Sequence, residues 1–259
     1  MAVVRRKFAR ARKLARRMLW ECGIDDASKI DPLVLVGRLG IVVIYGPLDG
    51  PTAQIFRRGG RAVMRVSNSI VQIGRRNFTI AHELGHFLLG HAIPSGPEHE
   101  ATERTAYQER EADVFAAELL MPEDLVAPHI AMPASLATVQ SIGDMFRTSI
   151  VASAMRYVEL TAAPCALVYS KDGRVAWAKH SRSFPGRIPH QIQIGRGTIA
   201  SDSDIANTNV LVANERVVPA SAWFAQGTAP VGCVSLVEHA VSVPEPGWGG
   251  VLSLLALAS

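Results

Sequence analysis

Residues 78–86 read FTIAHELGH, and the rest of the chain is interpreted from this stretch. The residues around the two histidines are apolar and no proline interrupts them, which predicts a largely buried helix from about Arg76 to Leu89. On a helix, His82 and His86 lie one turn apart on the same face, where both imidazoles can bind one tetrahedral metal ion. Two histidines and a glutamate inside an apolar helix would be costly without such a role.

Glu83 lies between the two histidines, about 100° around the helix from His82. Its longer side chain can therefore reach a water molecule at an open metal position. The motif predicts a zinc-dependent hydrolase in which Glu83 is the general base for zinc-bound water and then carries the proton to the leaving amine. The expected cofactor is Zn²⁺, one ion per chain, with Mn²⁺ as the alternative. Because the short motif also arises by chance, a third ligand is needed to support this interpretation.

The third metal ligand is expected from a second helix, since catalytic zinc usually has three protein ligands and a water molecule. Such a helix is predicted from about Thr105 to Leu120, and it is rich in acidic residues. Glu109 and Asp113 share one of its faces, which favours Glu109 as the ligand and Asp113 as a carboxylate that orients a ligand histidine. Glu111, about 200° around the helix from Glu109, is the alternative ligand.

Two more histidines follow the motif helix but are less favoured as ligands. His91 comes directly after Gly90, where the helix is predicted to end, and we expect it to point away from the site and to interact with the helix C-terminus. His99 falls in a polar stretch, where a single histidine is usually solvated. His91, His99 and Tyr107 are candidates for stabilising an oxyanion, without a pattern that selects among them.

The two helical blocks together resemble the ImmA/IrrE family of zinc metallopeptidases. The second block, residues 109–122, reads EREADVFAAELLMP, and the resemblance covers roughly residues 10–160. It implies that the metal ligands are His82, His86 and Glu109, that Glu83 is catalytic, and that Asp113 takes the family's downstream carboxamide or carboxylate position. It also implies a protein substrate, a helix-turn-helix transcription repressor whose cleavage switches on mobile-element transfer or stress-response genes.

The distribution of apolar runs predicts an α+β fold in three parts. Residues 1–122 are expected to contain an N-terminal helix and a helical, zincin-like metalloprotease domain with a small twisted sheet. Residues 123–160 are expected to form a helix-turn-helix-like segment. Short apolar runs separated by Gly and Pro predict that residues 161–259 form a β-rich C-terminal domain, for which a sensor-like role and a stabilising role are both open.

The small sheet is predicted from three short runs before the motif helix. Ile41 to Tyr45 is interpreted as a buried strand, and Thr52 to Arg57 and Arg61 to Ser67 as a hairpin around Gly59-Gly60. We expect an extended peptide substrate to pair with the edge of the strand 61–67 and so to lie across the metal.

Cysteine usage and hydropathy favour a cytoplasmic protein that does not enter a membrane. Cys22, Cys165 and Cys233 are odd in number and far apart, which argues against a disulfide framework or a cysteine zinc site. The apolar run from Val251 to Ala258 is too short to span a bilayer.

The N-terminus is strongly basic, since the first 20 residues hold eight of the 27 Lys and Arg residues and no acidic residue. Such a helix can bind the phosphate backbone, but a charge run alone is more often a solvated face, so direct DNA binding is not favoured. Two functions are therefore weighed: a zinc endopeptidase that cleaves a repressor, and a DNA-binding regulator or antitoxin-like partner with a non-catalytic zinc site. Glu83 favours the first, because a structural zinc site needs no general base and is normally closed by a fourth ligand.

Overall fold

The computed structural model describes residues 8–48, 52–58, 61–91, 103–201, 214–225, 229–243 and 249–257. The chain divides into two compact units. Met1–Pro128 and Gly143–Ser149 make up the first, and His129–Ile142 and Ile150–Ser259 the second. Helices and a three-stranded sheet form the first unit and a five-stranded sheet dominates the second, so the predicted α+β class is confirmed. The finer division into three parts stays a prediction.

The helices of the first unit are α1 (Ala9–Glu21), α2 (Pro32–Arg38), α3 (Ile73–Leu89), α4 (Glu103–Leu120) and the single turn α5 (Glu123–Val126). The bounds of α3 and α4 agree with the predicted ranges to within a few residues. The Asp31 side chain accepts hydrogen bonds from the backbone of Leu33 and Val34, which caps α2 just before Pro32. Gly90 ends α3 with a φ of 68°, a left-handed conformation that glycine adopts at little cost.

The small sheet contains β1 (Ile41–Gly46), β2 (Ala53–Arg58) and β3 (Arg61–Ser67) in the order β1-β3-β2. The predicted hairpin is present, because β2 pairs antiparallel with β3, while β1 pairs parallel with the other side of β3. Two expectations are wrong. The strand β3 is central and has no free edge for a peptide, and β1 is an edge strand in which only Ile41 is buried.

The basic helix α1 packs on α4 and uses part of its charge inside the first unit. Arg16 Nε lies 2.6 Å from Glu118 Oε1, a carboxylate with no solvent exposure, and a second guanidinium nitrogen of Arg16 lies 2.9 Å from Glu123 Oε2. Arg12 Nε approaches Glu118 to 3.9 Å, and Arg10 donates to the Leu89 carbonyl oxygen. At least these arginines therefore hold α1 against the helices that carry the candidate site.

The second unit is built on an antiparallel sheet in the order β5-β4-β8-β7-β6. Its strands are β4 (Cys165–Lys171), β5 (Arg174–His180), β6 (Asn214–Pro219), β7 (Ser235–Val243) and β8 (Gly250–Leu257). Before it, α6 (Leu136–Phe146) and α7 (Ile150–Leu160) occupy the segment predicted to be helix-turn-helix-like. Among the residues that the structure describes, no helix has the length and apolar character needed to cross a membrane.

Candidate metal centre

Three side chains from α3 and α4 meet in one cluster, and they are those of His82, His86 and Glu109. Each offers one ligand atom, and these atoms lie within 4.8 Å of one another. His82 Nε2 is 3.2 Å from Glu109 Oε2, His86 Nε2 is 3.4 Å from Glu109 Oε1, and the two Nε2 atoms are 3.0 Å apart. Two imidazole nitrogens and a carboxylate oxygen are a donor set that suits a catalytic divalent metal ion such as zinc. The three side chains therefore fit such an ion.

The close approach of α3 and α4 depends on Gly85, which lies between the two histidines on α3. A Cβ atom at this position would be 3.0 Å from Phe115 Cδ1 and 3.3 Å from the Cα and carbonyl oxygen of Ala112, both on α4. Phe115 and Ala112 are fully buried. The absence of a side chain at Gly85 therefore lets the backbone of α4 come close enough for Glu109 to reach both histidines.

Asp113 lies one turn beyond Glu109 on α4 and contacts the outward nitrogen of His82. The distance from Asp113 Oδ1 to His82 Nδ1 is 2.9 Å. Burial lowers the pKa of His82, but hydrogen bonds and charge from Asp113 and Glu109 outweigh it and raise the pKa to about 9. The hydrogen bond from His82, together with the nearby histidines, in turn holds the pKa of Glu109 below its usual value, although burial opposes this. With Asp113 on Nδ1, the Nε2 of His82 is directed at the cluster.

His86 and Glu83 are both affected by burial, in opposite senses. Burial and the charge of His82 lower the pKa of His86 to about 4, which keeps its imidazole neutral and able to act as a ligand. Burial raises the pKa of Glu83 to about 7, with a further increase from the negative charge of Glu109. The charge of His82 and a hydrogen bond from the main chain of Ile55 on β2 oppose this increase.

His91 is buried and contacts His86, so the expectation that it points away from the site is wrong. Its Nδ1 is 3.0 Å from His86 Nδ1, and its Nε2 is 3.0 Å from Glu111 Oε2. The cause is the way α3 ends. The N–H of His91 donates to the His86 carbonyl oxygen and that of Gly90 to Phe87, which is a Schellman motif. In this motif the second residue after the helix folds back onto the residue five positions earlier.

Glu111, the alternative ligand, is therefore placed outside the three-residue cluster. Its carboxylate contacts His91 and its side chain is 5% exposed, whereas that of Glu109 is 59% exposed. Of the oxyanion candidates, Tyr107 on α4 has its ring 5.2 Å from that of Phe8, and His99 lies outside the described residues. The pairing of His91 with Glu111 was missed although the Leu89-Gly90-His91 sequence, a helix-ending glycine followed by a histidine, carried the signal.

The comparisons with known proteins support the resemblance stated above. Residues 36–156, which include every residue of the cluster, match the family model Peptidase_M78, described as the IrrE N-terminal-like domain. The resemblance to the ImmA/IrrE family is thus confirmed over this segment, and the family is one of peptidases whose members are typically metal-dependent.

A solved structure shares the fold over most of the chain. A Mycobacterium tuberculosis transcriptional regulator matches with a TM-score of 0.59 and 17% sequence identity, covering 95% of this chain and 76% of that one. A fold similar to that of this chain therefore occurs in another protein of known structure. No curated protein matches this chain.

Proposed function

We propose that this protein is a zinc endopeptidase that cleaves a protein substrate, a helix-turn-helix transcription repressor, with Glu83 as general base. The observation that carries the proposal is the position of Glu83 on α3 between the two histidines of a cluster of three metal-binding side chains. A structural metal site needs no such carboxylate. His82, His86 and Glu109 would hold the ion, which when bound supplies Lewis acidity and lowers the pKa of water to about 7.

The electrostatics of Glu83 suit proton transfer at neutral pH. A general base works best when its pKa lies near the working pH, and burial raises the pKa of Glu83 to about 7. Glu83 can therefore take a proton from the attacking water molecule and give it to the leaving amine of the cleaved peptide bond. Asp113 holds His82 in one orientation throughout, because it accepts a hydrogen bond from Nδ1.

The substrate peptide is expected to pair with β2 rather than β3. Among the described strands, β2 pairs only with β3, and the backbone of Ile55 faces away from β3 towards Glu83, whose pKa it helps to lower. Alternate residues of a strand direct their backbone groups the same way, so those of Ala53 and Arg57 also point to this edge. An extended peptide that pairs there would lie beside Glu83.

A pair of variants tests this edge. Arg57→Pro removes an outward N–H, and Arg57→Ala keeps it while losing the same side chain, including the contact of its guanidinium with the Phe87 ring. We expect Arg57→Pro to raise the KM for a peptide substrate well above that of Arg57→Ala, with metal binding unchanged in both. Equal KM values for the two variants would refute pairing at β2.

Cleavage itself is tested with purified protein, Zn²⁺ and the helix-turn-helix repressor encoded nearest to it. We expect a single specific cut that requires the metal and is absent in Glu83→Gln, while Glu83→Gln still binds zinc. Cleavage that persists in Glu83→Gln would contradict the mechanism. Salt-dependent binding to duplex DNA without any cleavage would instead support the regulator with a non-catalytic zinc site.

A further inference from the structure

We propose that Glu111 and His91 form a positioning relay that fixes the tautomer of His86 and so holds its Nε2 ready for the metal. This inference rests on the metal site of the proposed function. It concerns two residues outside the three-residue cluster, which act on it through His86. The relay runs from Glu111 Oε2 to His91 Nε2 over 3.0 Å and from His91 Nδ1 to His86 Nδ1 over 3.0 Å.

With Glu111 ionised and His91 neutral, the hydrogen-bonding groups allow one consistent set of protons. The carboxylate of Glu111 can only accept, so the N–H of a neutral His91 lies on Nε2. His91 Nδ1 then carries a lone pair and accepts a hydrogen bond from His86 Nδ1. The proton of His86 is thereby held on Nδ1, and its Nε2 keeps the lone pair that a metal ion requires.

The two ligand histidines are oriented in different surroundings. Asp113, which contacts His82, has a side chain that is 54% exposed, and water can take its place at His82 Nδ1. The side chains of Glu111 and His91 are each 5% exposed. Hydrogen bonds shielded from water are stronger, and a lost partner cannot be replaced by solvent. The orientation of His86 should therefore depend more strongly on its relay than that of His82 depends on Asp113.

A buried histidine–glutamate pair could also serve only to stabilise the fold, and a matched control distinguishes the two roles. Glu118 is a second buried carboxylate on α4, with no solvent exposure, and it contacts Arg16. Loss of either carboxylate should lower the thermal stability of the metal-free protein. If Glu111 is a positioning residue, only its loss should also weaken metal binding.

The test compares wild type, Glu111→Gln, His91→Phe, the double variant and Glu118→Gln. The dissociation constant for Zn²⁺ is measured by competition with a chromophoric chelator, starting from metal-free protein well below its unfolding temperature. We expect His91→Phe to bind zinc about 10- to 100-fold more weakly than wild type, as for other partners of ligand histidines. Glu111→Gln should lower the affinity for zinc about 10-fold. An amide can donate as well as accept a hydrogen bond, so it no longer fixes the His91 proton on Nε2.

A double-variant cycle shows whether Glu111 acts through His91. The Glu111→Gln substitution should weaken zinc binding in the wild-type background and have no effect in the His91→Phe background. Long-range ¹H–¹⁵N spectra of the metal-free protein should show the His86 proton on Nδ1 in wild type. In His91→Phe they should show a mixture of the Nδ1–H and Nε2–H tautomers. If His91→Phe does not fold, Glu111→Gln keeps the shape of the pair, and its affinity and spectra carry the test.

The possible results separate the relay from the metal site on which it rests. Wild-type affinity in both Glu111→Gln and His91→Phe would overturn the relay, as would an equal loss of affinity in Glu118→Gln. If the wild type binds no zinc, or binds it equally well after His86→Ala, the metal site itself is refuted and the relay with it. If His86→Ala abolishes binding, the relay is decided by the Glu111 and His91 variants alone.

Discussion

Gly85→Ala tests whether the contact between α3 and α4 builds the candidate metal site. A methyl group at this position would lie 3.0 Å from Phe115 Cδ1, about 0.4 Å closer than ordinary contact, and 3.3 Å from the backbone of Ala112. Phe115 and Ala112 are fully buried, so neither can move aside without displacing α4. Overpacking of this kind costs about 1–3 kcal/mol.

The same substitution also increases helix propensity, so a control is needed to separate the two effects. Alanine in place of glycine inside an exposed helix stabilises it by up to about 1 kcal/mol. Gly37 on α2 is exposed, and a Cβ atom added there would have no heavy atom within 4 Å, so Gly37→Ala reports the propensity effect alone. The difference in unfolding free energy between the two variants therefore measures the cost of the contact at Gly85.

We expect Gly85→Ala to be about 1–3 kcal/mol less stable than Gly37→Ala, measured from urea denaturation followed by circular dichroism. Displacement of α4 should also weaken zinc binding. The Glu109 oxygens lie 3.2 and 3.4 Å from the two Nε2 atoms. A displacement of α4 by about 0.4 Å would lengthen these distances and so distort the set of three metal-binding side chains. Equal stability of the two variants, together with wild-type affinity for zinc in Gly85→Ala, would refute this account of the helix contact.

Three further substitutions probe the surroundings of the site and the second unit. Asp113→Asn should weaken zinc binding about 10-fold, at the lower end of the range for such partners because the carboxylate is half exposed, and chelator competition measures it. Arg16→Met keeps the packed stem but removes the 2.6 Å contact with the buried Glu118 carboxylate, which still accepts a hydrogen bond from the Glu123 N–H and has Arg12 Nε at 3.9 Å. We therefore expect a loss of about 1.5–3 kcal/mol in urea denaturation; no loss would show that the pair is not needed. Glu238, fully buried on β7, has its pKa raised mainly by burial, so the folded state binds its proton more tightly than the unfolded state. The melting temperature of wild type should therefore fall relative to that of Glu238→Gln as the pH rises from about 4 through the raised pKa, and parallel pH profiles would contradict this.

The two helices of the candidate metal site could be predicted from the sequence because their signals are local. The apolar surroundings of the motif, the absence of proline and the terminal Gly90 define α3 to within a few residues, and α4 follows from its own composition. Helical periodicity also placed Glu109 and Asp113 on one face. The structure brings Glu109 to both histidines and Asp113 to His82.

The errors concern features that depend on partners distant in sequence. The run from Ile41 to Tyr45 is as apolar as a buried strand, yet β1 lies at the edge of the sheet, and Val42, Ile44 and Tyr45 are about half exposed. Which strand is central depends on the parallel pairing of β1 with β3, and no local signal in β3 indicates it. The proposed peptide-binding edge therefore lies on β2 and not on β3.

The positions of the α4 carboxylates explain why, in the proposed relay, Glu111 acts on His86 through a histidine outside the motif. Glu109 and Asp113 are four residues apart and can both face the histidines of α3, whereas Glu111 lies on another side of the helix and its carboxylate contacts His91. A hydrogen-bond partner for Glu111 that also contacts His86 must therefore come from outside the motif. The turn at Gly90 provides this partner, because it folds His91 back onto His86 and into contact with Glu111. The glycine that ends α3 thus also determines how the second histidine of the motif is oriented.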